Sequence, residues 1–144
     1  MTLENFSDQT PPPGTLHAEA TITVQESHAE PYDETAGSPL SILSIRETFE
    51  GDIEGVSIVR ALQIRQGDGS VRMISLQRVN GSLNGRKGSF VLQGTEKIED
   101  GAIKARWFVV PGSATGELAG LRGSGGFEGW FGEGSCGTLE HWFE

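Results

Sequence analysis

The chain has 144 residues, and 11 Lys and Arg against 20 Asp and Glu leave a formal net charge of −9, room for one domain and too little positive charge to track a phosphate backbone. No apolar run approaches the ~18 residues of a membrane-spanning helix, and residues 1–15 hold no apolar signal core behind a basic start. Cys136 is the only cysteine, which excludes an intrachain disulfide and a cysteine-built zinc site, so the composition points to a soluble, cytoplasmic domain with neither a nucleic-acid nor a membrane partner.

Residues 1–15 are polar and aperiodic and contain Pro11-Pro12-Pro13-Gly14, which favours extended backbone over helix. A flexible tail is expected there, with a single domain over 16–144. Alternation begins at once: Leu16, Ala18, Ala20, Ile22 and Val24 share one face of a first strand. The polar stretch from Ser27 to Pro39 is expected to be a surface loop. Beyond it, 19 of the 21 glycines lie from Gly51 onward, clustered between short apolar runs. Asn-Gly and Asp-Gly pairs supply the positive φ angles of hairpin turns, and this spacing leaves no room for crossover helices. Eight strands are predicted, near 16–26, 40–50, 55–66, 70–80, 88–97, 102–111, 116–122 and 137–143. An antiparallel meander of eight closes most economically into a barrel, which removes both edges. A two-sheet sandwich is the alternative.

Parity also marks polar residues on apolar faces. Glu47 shares a side of the second strand with Leu43, Ile45 and Phe49, and Arg60 shares a side of the third with Val56, Ile58, Leu62 and Ile64. If both sides face inward, Glu47 and Arg60 pair inside the barrel, because an unpaired buried carboxylate costs several kcal/mol or shifts its pKa. Phe90 and Trp107 are large residues at strand positions, suited to core packing or to lining a pocket. His17 and His141 fall on the first and last strands, which barrel closure brings together, yet their spacing matches no metal motif. No cofactor is indicated. Outward apolar residues such as Ile74, Leu76 and Phe108 suit a homo-oligomer interface.

Three segments carry a resemblance. They are Thr48-Phe49-Glu50-Gly51-Asp52-Ile53-Glu54-Gly55, Gly88-Ser89-Phe90-Val91-Leu92-Gln93, and the long run from Val109 to Gly123 containing Pro111-Gly112-Ser113. Together they resemble an uncharacterised bacterial family known as a domain of unknown function, similar in fold to allene oxide cyclase and the dirigent proteins. The resemblance implies one antiparallel barrel with an apolar interior and transfers no catalytic residue. Where that family often has a His after the second segment, this chain continues Gly94-Thr95-Glu96.

Function is therefore expected to be the binding of a small apolar or amphipathic ligand in the barrel, through Glu47, Arg60, Phe90 and Trp107. The alternatives are a cyclase- or isomerase-type enzyme with Glu47 as its polar group, and a filled, ligand-free barrel that serves assembly.

Overall fold

The computed structural model describes residues 11–130 and 134–144. Eight strands follow in chain order: β1 Leu16–Asp33, β2 Leu40–Gly51, β3 Ile53–Arg65, β4 Val71–Leu83, β5 Arg86–Glu99, β6 Ala102–Val109, β7 Leu121–Trp130 and β8 Ser135–Phe143. Each pairs antiparallel with the next, and β1 pairs with β8 from Leu16↔His141 to Ile22↔Ser135, closing the barrel. Of the tail expected at 1–15, residues 1–10 lie outside the described residues. Among the described residues no helix is long and apolar enough to cross a membrane.

The barrel has two halves. One is packed dry by Phe49, Ile53, Leu83, Phe90, Leu118 and Leu139, all at most 2 % exposed. The loop after β6 closes this end: Thr115 N–H donates to Ser89 O at 2.8 Å, and the turn Gly116–Leu118 drives Leu118 into the core. The other half narrows to small and polar inward residues, Ser57, Ala61, Ser75 and Gln77. Here β1 outruns its partner. Its ladder with β2 continues to Asp33↔Leu40, while among the described residues its ladder with β8 ends at Ile22.

Three expectations need correcting. The stretch from Ser27 is not a loop as far as Asp33: it prolongs β1, paired through Ala29↔Leu43 and Pro31↔Ser41. It reads as polar because both of its faces are exposed, so no alternation is imposed. The strand expected at 116–122 is a 3-10 turn, and β7 starts at Leu121 and runs through the glycine-rich stretch. Those glycines fit the wall, since a Cβ on Gly125 would lie 2.0 Å from the Thr138 carbonyl oxygen. Finally, β3 turns its other side inward. Ile53 is buried, Phe49 pairs with Gly55, and the parity set there carries Ser57, Val59 and Ala61 inside. Val56, Ile58 and Leu62 are left 47–55 % exposed outside.

A glycine row crosses the wall beside Phe49, pairing Gly55 with Gly81 and Gly81 with Gly88. A Cβ on Gly81 would meet the Glu54 carbonyl oxygen at 1.9 Å, so neighbouring backbones approach there as only glycine allows. Gly81→Ala should destabilise the protein by about 1–3 kcal/mol or more in chemical denaturation, whereas Gly67→Ala, whose Cβ would meet nothing within 4 Å, should leave stability unchanged.

Candidate functional site

The polar half of the lumen is built from inward residues of four strands. On β2, Glu47 follows Ile45 and precedes Phe49; it is 9 % exposed. On β3 and β4, Ser57 Oγ–H donates to Gln77 Oε1 at 2.9 Å. On β5, Glu96 shares the inward side of Phe90 and Leu92, and its Oε1 accepts the hydroxyl of Ser75. Gly94 makes that contact possible, since a Cβ there would lie 2.8 Å from Glu96 Oε1 and 2.9 Å from Ser75 Oγ.

Satisfaction of these groups is lopsided. Both serine protons are committed. Glu47 has no hydrogen-bond partner among the described residues, and Glu96 Oε2 is buried with none. Among the described residues the wall thus presents free carboxyl oxygens and no cation to meet them. Burial raises the Glu47 pKa, and the charge of Glu96 adds to it, to about 7. Burial also raises Glu96, against the opposing Ser75 hydrogen bond. Directly across from Glu47 on β1 is Val24, 55 % exposed, so the carboxyl lies one strand from solvent.

The predicted site residues separate. Glu47 faces inward as expected. Arg60 does not join it: it is exposed on the outer side of β3, bonded to Ser44, because β3 has the parity described above, and Ser57 is the residue opposite Glu47. Phe90 is 1 % exposed and belongs to the packed half. Trp107 is inward, its ring tilted 48° against that of Phe127 with centroids 5.5 Å apart, its Nε1–H donating to the Thr138 carbonyl at 3.1 Å. His17 and His141 part as well: His17 lies outside between Glu19 and Glu140, while His141 is inward and 1 % exposed. Burial lowers the pKa of His141. Glu96, Ser75 and Gln77 went unnoticed in the sequence. Continuing the parity of Phe90 and Leu92 finds the first, and that of Val71 and Val79 the other two.

A broad concavity of about 990 Å³ is lined mainly by outward residues of the wall, with Ala61, Ser75 and Trp107 of the inward set also contributing to its lining. It runs across the strands between two outward rows, one with Ile42, Leu62 and Ile74, the other with Arg60, Leu76 and Phe108. Ile74 and Leu76 are 57 % and 53 % exposed, on the outer face where the sequence put them.

Fold and lumen together define a small closed antiparallel β-barrel with two incompletely satisfied carboxyls inside. Residues 18–135 match the family described as protein of unknown function (DUF3224), and the chain belongs to that family. It is similar to the crystal structure of a protein with unknown function from that family, from Shewanella oneidensis MR-1. The two share 27 % identity over 90 % of this chain and 98 % of that one, with a TM-score of 0.73. None of the curated proteins matches.

The raised pKa of Glu47 has a consequence for stability. A carboxyl that binds its proton more tightly when folded stabilises the fold below its unfolded pKa of 4.5 and loses that contribution as pH rises through about 7. Between pH 5 and pH 8 the wild type should lose on the order of 2–3 kcal/mol from this group, offset in part by His141, which shifts in the opposite sense. Denaturant titrations at the two pH values check this: Glu47→Gln should be markedly less sensitive to pH over that interval.

Proposed function

We propose that the chain is a binding module that takes a small amphipathic molecule into the polar half of the barrel, head group towards Glu47 and Glu96. The observation that carries this is the pair of luminal carboxyls left unmet: Glu96 Oε2 is buried with no hydrogen-bond partner, and Glu47, a residue only 9 % exposed, has none among the described residues. A barrel of eight strands is just wide enough to be filled or to hold one small ligand, and here one half is filled while the other is lined by small side chains. Free acceptors on the wall ask for donors on the ligand, so the head group is an amine or another cationic, N–H-rich group. Ala61, Val59 and Trp107 offer the apolar contact for its body.

A second reading has one observation in its favour. A carboxyl with a pKa of about 7 suits proton transfer at neutral pH, which an isomerase or cyclase would use. The likeness to allene oxide cyclase and the dirigent proteins brings no catalytic residue to support it.

Thermal shifts with hexylamine, hexanol and hexanoate test the binding reading. Hexylamine should raise Tm, hexanol should raise it less and hexanoate not at all, with Glu47→Gln erasing the advantage of the amine. Equal shifts with all three would remove the head-group assignment, and no shift with any would contradict the binding reading.

A further inference from the structure

The charge of this protein is unevenly divided. Between Gly55 and Thr95 the cations Arg60, Arg65, Arg72, Arg78, Arg86 and Lys87 face a single acid, Asp68, in a chain whose net charge is −9. Folding gathers much of this on the outer wall. Arg60 on β3, Arg72 and Arg78 on β4, Arg46 on β2 and Arg106 on β6 all point outward, and β4 carries no acid at all. None of these five arginines forms an ion pair among the described residues. They surround Ile58, Leu62, Ile74 and Leu76, each 47–57 % exposed. Aliphatics this exposed, contiguous across neighbouring strands, mark an interaction surface.

The complementary feature is the hairpin of β1 and β2. From Thr23 to Pro39 the chain holds Glu26, Glu30, Asp33 and Glu34 and no Lys or Arg. Thr23 to Gly37 is exposed throughout, with Val24 and Tyr32 at 55 % and 53 %. Past Ile22 no described strand pairs with its β8-side edge, which is the kind of edge that seeks a partner. Glutamates and a proline on that edge discourage indiscriminate pairing.

We infer that two copies of this chain dimerise by exchange, each laying its acidic β1–β2 hairpin on the basic, apolar outer wall of the other. Apposing the two walls directly would bring arginines against arginines, and like charges across an interface cost several kcal/mol. The exchanged arrangement sets opposite charges together twice under one two-fold axis, as closed symmetry requires. Two such contacts can supply the ~800 Å² per chain of a standard interface. The wall is concave between its two outward rows, which fits a narrow ribbon better than a flat surface.

Sedimentation of the full chain tests this with two charge-reversed variants, Arg60→Glu/Arg78→Glu and Glu30→Arg/Glu34→Arg. All four positions are exposed, and a cooperative thermal transition shows that each variant folds, at a midpoint lowered only by loss of the dimer. The wild type should be a dimer whose Kd weakens with salt, and each variant alone should dissociate at least 100-fold more readily. Mixed one to one, the two variants should form a heterodimer close to wild-type affinity, since each hairpin then meets a wall of opposite charge. A monomeric wild type, a dimer indifferent to either reversal, or a mixture that stays monomeric would overturn the exchange. So would a monomer that instead sediments with phosphatidylglycerol vesicles, which would assign the wall to an anionic membrane surface.

Discussion

The short ladder between β1 and β8, from Leu16↔His141 to Ile22↔Ser135, is the constraint on which everything else rests. It turns an eight-strand meander into a closed wall and so gives every strand an inside and an outside. Closure also limits the volume within. Phe49, Phe90 and Trp107 take up much of it, and what remains can be lined only by small residues and by a few polar ones. The larger aliphatics of β3 and β4 are consequently on the outside. A wall with Ser57, Val59 and Ala61 within and Val56, Ile58 and Leu62 without reverses the usual expectation that the greasier side is buried.

That reversal explains what could be read from the sequence and what could not. Strand number and antiparallel order follow from turn chemistry: Asn84-Gly85 and Asp100-Gly101 take the positive φ angles of hairpin turns, whereas Asn80-Gly81, the same dipeptide, lies within β4. Glu47 was legible because its strand alternates between bulky and polar residues. Arg60 misled because hydrophobicity alone chose the side of β3, whereas the tight passage from Phe49 through Gly55 decides it. The length of β1 was hidden for another reason: a ribbon exposed on both faces has no periodicity to display. The parity of Phe90 and Leu92 reaches Glu96 only when Gly94 is read as a strand residue that leaves room for the Ser75–Glu96 contact, not as a turn residue.

Charge tells a parallel story. A net charge of −9 argues against anionic partners for the chain as a whole, but an average conceals a basic patch, three of whose five arginines come from the single run between Gly55 and Thr95. Counting charge by segment recovers it. Arg60, which does not reach the lumen, belongs to that outer patch. The lumen and the wall are then separate surfaces: one short of donors, the other short of anions. Among the described residues both are left open; we propose a ligand head group for the first and a second copy of the chain for the second.

Everything proposed for the lumen depends on Glu47 being buried without a partner. The direct measurement is its titration, followed by the side-chain carboxyl resonance in NMR with Glu47→Gln used to assign it. A midpoint near 7 in the ligand-free protein is the result this account requires. A midpoint near the ordinary 4.5 would mean that the carboxyl is solvated or already paired, and the lumen would then hold no unmet demand for a ligand.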